Sequence, residues 1–218
     1  MENEKLKYIF SKIDHTLLSV TATSADLALL CREAEAAGAA SVCVPPCFVG
    51  EAKGLVRTVK VCTVIGFPNG YQTTETKVFE TEDAIRQGAD EVDMVVNINK
   101  VKEGDLAYVE KEIAAVRKAS EGRVLKVIVE TCLLTEEEKI ALCAVVTRTR
   151  ADFIKTSTGF SKAGAVLSDI VLFRKYIGKE VKIKAAGGIR SAEDALAFLD
   201  AGADRIGASA VIKNSLKI

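Results

Sequence analysis

Eight short runs of β-forming residues alternate with helix-patterned stretches of about 10–15 residues along nearly the whole chain, which limits the fold to a few parallel α/β architectures. The runs are Lys12–Thr16, Ser41–Val44, Lys60–Phe67, Glu91–Val96, Leu125–Glu130, Phe153–Thr156, Lys182–Ala185 and Arg205–Ala208. Eight strands in this order predict a single (β/α)8 TIM barrel domain over residues 1–218, with lean loops because the chain is short for that fold. An open doubly wound sheet is the alternative. The junctions repeat as well. Gly38-Ala39, Gly88-Ala89 and Gly202-Ala203 each stand between a helix and a strand, where a left-handed residue ends a helix, and Arg150-Ala151-Asp152 is the version without glycine. Thr135 with Glu138 reads as a capping box, and Ser191 to Asp194 nearly so. A helix from Thr23 or Ser24 to Ala37 is expected on the barrel exterior. Leu6, Ile9 and Phe10 form one apolar face of a short N-terminal helix, placed to plug the N-terminal end of the barrel.

Thirty basic and thirty acidic residues give no net charge, so no overall field draws the chain to nucleic acid or an acidic membrane. An anionic ligand must be held by local groups. No run approaches the ~18 apolar residues of a membrane span. The start, Met1-Glu2-Asn3-Glu4-Lys5, is charged and is not followed by the apolar stretch of a secretory signal. The six cysteines include no Cys-x-x-Cys pair, which argues against a zinc knuckle and for reduced thiols in the cytoplasm.

Strands of a parallel sheet are covered on both faces and read as continuous apolar runs, so their ionic interruptions locate a site. These are Asp14, Asp93, Lys126, Glu130, Lys155 and Lys184. Lys155, Lys184 and Asp93 fall near strand ends, where they converge at the C-terminal mouth of a barrel. Lys155 and Lys184 belong to neighbouring strands, about 5 Å apart between backbones. A second ammonium and desolvation both favour the neutral amine, which is the nucleophilic form of lysine. A neutral amine forms a Schiff base with a carbonyl, and the protonated imine lets an adjacent C–C bond break or form. Asp93 is placed to relay protons. The competing reading is an ion cluster that only fills the barrel. Lys182 shares the face of Lys184 one layer deeper and is expected to extend to the opposite rim.

Gly187-Gly188-Ile189-Arg190-Ser191, Gly207-Ala208-Ser209 and Thr158-Gly159 all follow strands. Small residues there let backbone N–H groups approach an anion, which suits a phosphate. Gly66-Phe67-Pro68-Asn69-Gly70 is expected to line the mouth. His15, the one histidine, and Cys43 read more simply as buried structural residues than as catalysts.

The segments Ser41-Val42-Cys43-Val44-Pro45-Pro46, Val64-Ile65-Gly66-Phe67-Pro68-Asn69-Gly70, Glu91-Val92-Asp93-Met94-Val95-Val96-Asn97, Phe153-Ile154-Lys155-Thr156-Ser157-Thr158-Gly159-Phe160 and Lys184-Ala185-Ala186-Gly187-Gly188-Ile189-Arg190 resemble the deoxyribose-phosphate aldolase family, and the likeness runs from about Ile13 to Ser209. The resemblance implies a class I aldolase on a (β/α)8 barrel. Its substrates are small phosphorylated aldehydes: 2-deoxy-D-ribose 5-phosphate is cleaved reversibly to D-glyceraldehyde 3-phosphate and acetaldehyde. No metal or organic cofactor is implied. By motif position Lys155 carries the Schiff base, Lys184 lowers its pKa and shares proton transfer, and Asp93 relays protons. Asp14 and Cys43 line the site. Thr158, Gly159, Gly187, Gly188, Gly207 and Ser209 form the phosphate cradle. The resemblance also implies a homo-oligomer, most often a dimer. Some family members have a lysine where this chain has Phe160, a second serine where it has Ala210, and a terminal tyrosine where it runs Asn214-Ser215-Leu216-Lys217-Ile218. Two other readings remain open: a Schiff-base lyase of the transaldolase or fructose-bisphosphate type, and a phosphosugar-binding protein without turnover.

Overall fold

The computed structural model describes residues 2–216. Its strands are β1 (Ile13–Thr16), β2 (Ser41–Val44), β3 (Lys60–Ile65), β4 (Glu91–Val95), β5 (Val124–Ile128), β6 (Phe153–Lys155), β7 (Lys182–Ala186) and β8 (Arg205–Ala208). All are parallel, each pairs with its sequence neighbours, and β1 also pairs with β8, so the sheet closes into a barrel in chain order. The helices are α1 (Glu2–Phe10), α2 (Ser24–Ala37), α3 (Val49–Leu55), α4 (Thr74–Arg86), α5 (Ile98–Lys102), α6 (Leu106–Ala119), α7 (Glu136–Arg148), α8 (Leu167–Tyr176), α9 (Ala192–Asp200) and α10 (Val211–Leu216). This is the (β/α)8 barrel that the alternation predicts; the open sheet is excluded by the β1–β8 pairing.

Local chemistry sets the boundaries. Thr23, Thr135 and Ser191 each cap a helix whose third residue returns a carboxylate, making three full capping boxes. Gly38 ends α2 at φ 66°, and Arg150 takes a similar φ of 55° without being glycine. Two strands, β3 and β5, end two residues earlier than the sequence suggests. β3 stops at Ile65 because Gly66 turns the chain at φ 62°, and β5 stops at Ile128 because Glu130 adopts φ 56° and ψ 65°. In α1, Ile9 and Phe10 are buried in the main core and the helix packs on α9.

Most apolar core lies between the strands and the helix layer. Leu27, Leu30, Cys31 and Ala34 of α2, and Val109, Ile113 and Val116 of α6, repeat at helical spacing on the buried side. The barrel interior is different. It holds a small separate cluster of Cys43, Cys62 and Val64, the inward-facing Val95, Ile128 and Phe153, and an ionic network. Among the described residues no helix is long and apolar enough to cross a membrane.

A second buried ion pair braces the outside of the mouth. Lys77 of α4 lies 2.7 Å from Glu112 of α6, both fully buried. The Lys77 ammonium also donates to the carbonyls of Gly70 and Val95, and Glu112 accepts the Asn97 N–H. These bonds tie the loops after β3 and β4 together. Removing one member of a buried pair leaves an uncompensated charge, at a cost of about 3–5 kcal/mol. Lys77→Met is therefore expected to lower the unfolding free energy by about 3 kcal/mol in urea titration. The double variant Lys77→Met with Glu112→Leu is expected to recover part of that loss.

Candidate active site

The register places Lys155 of β6 beside Lys184 of β7, and Asp93 of β4 beside Lys126 of β5. All four side chains point into the barrel. The Lys155 and Lys184 ammonium groups each lie 2.7 Å from the same Asp93 oxygen, Oδ2, and Lys126 lies 2.8 Å from Oδ1. Lys184 also reaches Asp14 at 2.5 Å, and Lys126 reaches Glu91 at 2.5 Å. Arg205 closes the network from β8, at 2.6 Å from Asp14 and 3.2 Å from Glu91. The interior therefore carries three carboxylates and four cations.

Burial alone would raise the Asp93 carboxyl, but the ammoniums of Lys126, Lys155 and Lys184 outweigh it and hold Asp93 well below the usual carboxylate range. Asp14 is lowered in the same way: Lys184, Lys126 and Arg205 overcome its desolvation. Burial works against charge on Lys184 too, yet Asp14 and Asp93 together raise it above the ordinary lysine value. Lys184 is thus held as a cation in the unliganded site. The neighbouring Cys62 draws the Cys43 thiol down against burial, and Cys62 donates to Asp93 Oδ1 at 3.2 Å. Thiols and carboxylates within 4.8 Å of one another could ligate a cation in principle. The lysine ammoniums already occupy those carboxylate oxygens, so a dication would have to displace them.

A cavity of about 520 Å³ opens over Lys155, which is 3% exposed. The residues expected to form an anion cradle, Thr158, Gly159, Gly187, Gly188, Gly207 and Ser209, all line it. Among the described residues, the N–H groups of Gly159, Gly188 and Ser209 find no internal acceptor. The Thr158 donors are directed elsewhere: its N–H lies 3.2 Å from Glu130 Oε2, and its hydroxyl also donates to that carboxylate. Gly187 is required by a close approach, since a Cβ there would fall 2.9 Å from the Gly164 Cα. Leu17, Leu18 and Ile189 supply apolar wall, and Phe160 stands edge-on to Phe67 with ring centroids 5.3 Å apart.

Asp14 and Cys43 lie inside the barrel at the network, not in the cavity lining. His15 is buried and pairs with Glu33 at 2.8 Å, a structural contact. Lys182 is exposed at the N-terminal rim, its amine 5.7 Å from the Phe153 ring. The sequence reading gave no role to Glu91, Cys62 or Arg205. Glu91 lies two residues before Asp93, so period-two alternation carries its signal. Arg190, which follows the Gly187-Gly188 pair, also lines the cavity. Of the terminal segment Asn214–Ile218, residues 217 and 218 lie outside the described residues.

Residues 9–213 match the model of the DeoC/LacD family aldolases. The deoxyribose-phosphate aldolase of Clostridioides difficile (strain 630) is 53% identical over 209 residues, covering 95% of each chain. The solved structure of the aldolase QR15 superimposes with a TM-score of 0.92 at 37% identity, covering 96% of each chain. The tetrameric deoxyribose phosphate aldolase of Aeropyrum pernix gives 0.87 at 34% identity, covering 96% of this chain and 92% of that one.

Proposed function

The chain belongs to the DeoC/LacD family of aldolases, and on that premise we propose that it is a class I lyase that reversibly cleaves 2-deoxy-D-ribose 5-phosphate into D-glyceraldehyde 3-phosphate and acetaldehyde. The observation that carries the reading is the convergence of Lys155 and Lys184 on one oxygen of Asp93 beneath a glycine-walled cavity. Lys155 is the amine that reaches the cavity. It is also the cation with the fewest partners: Asp93 alone pairs with it, whereas each of the other three pairs with at least two carboxylates. Deprotonating Lys155 leaves three cations facing three carboxylates.

In this reading the neutral Lys155 amine attacks the substrate aldehyde carbon. Asp93 and Lys184 pass protons, water leaves, and an iminium forms. The C2–C3 bond then breaks. Its electron pair moves to the iminium to give an enamine, the C3 hydroxyl loses its proton, and D-glyceraldehyde 3-phosphate departs. Protonation of the enamine carbon and hydrolysis release acetaldehyde and restore the amine. The free N–H groups at Gly159, Gly188 and Ser209 suit the phosphate. Six free thiols suit a reducing cytoplasm. A homo-oligomer, as a dimer, is proposed for the assembly and is tested by sedimentation equilibrium.

Mass spectrometry after acetaldehyde and borohydride tests the whole reading. A two-carbon adduct on Lys155 supports it. No adduct, or an adduct only with ketose phosphates, rejects it. Lys184→Leu is expected to cut turnover by about 100- to 1,000-fold. Its pH–rate profile is expected to differ from the parent's, because Lys184 no longer shares the Asp93 carboxylate with the reacting amine. A profile superimposable on the parent's would remove Lys184 from this role.

A further inference from the structure

Glu130 stands apart from every other residue around the cavity. It is not glycine, yet its backbone is left-handed at φ 56° and ψ 65°. For a long side chain that conformation costs about 1–2 kcal/mol. Were a turn all that this position required, glycine would supply it without strain. The side chain is nearly fully buried, and no lysine, arginine or histidine lies within ion-pair distance of it among the described residues. Burial pushes its carboxyl up against the hydrogen bonds it accepts. A strained backbone and a buried, unpaired carboxylate at one residue call for a return.

The hydrogen bonds show what that return is. Beyond the last paired residues of β5 and β6, Val129 N–H donates to the Lys155 carbonyl at 3.0 Å, and Thr131 N–H to the Thr156 carbonyl at 2.9 Å. The left-handed residue between them carries its carboxylate back to Thr158, accepting both the N–H and the hydroxyl. The Thr158 hydroxyl oxygen in turn accepts the Phe160 N–H at 3.1 Å. The turn that follows Lys155 is thereby held at its start by backbone bonds and at its end by Glu130.

We propose that Glu130 is a positioning residue for the aldol reaction: through Thr158 it fixes the turn from Lys155 to Phe160, and so the direction in which the Lys155 amine enters the cavity. The role is geometric. It needs an acceptor at the end of a side chain of this length, not a charge. The proposal rests on the function proposed above.

The test uses the full-length chain. Glu130→Gly relieves the backbone and deletes the acceptor, so the fold is retained. Its kcat is expected to fall by about 30- to 100-fold, with a smaller change in KM, because misplacing a reacting group by about 1 Å is that costly. Glu130→Gln keeps an acceptor and is expected to retain at least about a third of the parent kcat. Amide hydrogen exchange at Thr158 is expected to quicken in the glycine variant and not in the glutamine variant. Glu130→Gly turning over within twofold of the parent would overturn the proposal, as would Glu130→Gln losing as much as the glycine variant. If the parent chain neither cleaves deoxyribose phosphate nor gains an adduct, the functional reading fails, and Thr158 exchange still reports on Glu130. Thr158→Val removes the hydroxyl donor without touching the strained residue and is expected to lower kcat in the same direction. An unchanged kcat there also overturns the proposal.

Discussion

Lys155→Ala is expected to yield no borohydride-trapped adduct and to lose on the order of 100,000-fold in cleavage rate, as removal of a covalent nucleophile does in enzymes whose catalytic groups act as a unit. The protein itself is expected to survive the change well. Asp93 keeps Lys126 at 2.8 Å and Lys184 at 2.7 Å, and Asp14 keeps Lys184 and Arg205. The variant removes the one cation in excess over the carboxylates. Its melting temperature is therefore expected to equal or exceed the parent's, the pattern of a site that trades stability for activity. Calorimetry checks this beside the activity assay. Residual cleavage above about 1% of the parent would mean that another amine is the nucleophile.

Asp93→Asn is expected to have the second-largest effect, and it acts on both stability and rate. Three ammoniums converge on that carboxylate. The amide keeps the shape but leaves them facing a neutral group, a loss of about 3 kcal/mol or more of unfolding free energy. Turnover is expected to fall by about 1,000-fold, since proton transfer to carbinolamine and enamine loses its relay. The imine still forms, slowly, so trapping separates this variant from Lys155→Ala. The pH dependence carries a sign. Asp93 is held below its unfolded value, so its contribution is fully present above about pH 4 and is lost as pH falls. The stability gap between parent and variant is therefore expected to shrink as pH is lowered from 7 to 3. A gap that widens towards acid would refute the ionised carboxylate, and an undiminished rate would remove Asp93 from the relay.

Lys155, Lys184 and Asp93 were legible because parallel strands buried on both faces leave no other place for an ionic side chain to hide. Closure of the barrel was legible from the count of strands. Arg205 and Glu91 were not, because each stands at the N-terminal end of its strand, where a charged residue is ordinarily at the rim. Only closure brings Arg205 of β8 against Asp14 of β1 and Glu91 of β4. The sequence pointed to one neighbouring ammonium as the influence on Lys155. The structure shows Lys126 as well, all three amines sharing one carboxylate. Glu130 stood out as polar, but nothing in the local sequence signals a left-handed glutamate. The diversion of the Thr158 donors to it needs the folded turn.

The ionic lumen also bears on heat. Among the described residues the separate apolar cluster inside the barrel is small, with Cys43, Cys62 and Val64 as its buried members, and most hydrophobic burial comes from the annulus between strands and helices. Hydrating charged groups becomes less favourable on warming, so the penalty for enclosing this salt lattice shrinks as temperature rises. The proposed active site is thus built from the part of the molecule whose enclosure becomes less costly on warming. Efforts to raise durability belong in the outer ring of aliphatic contacts, where a filled void leaves the chemistry untouched.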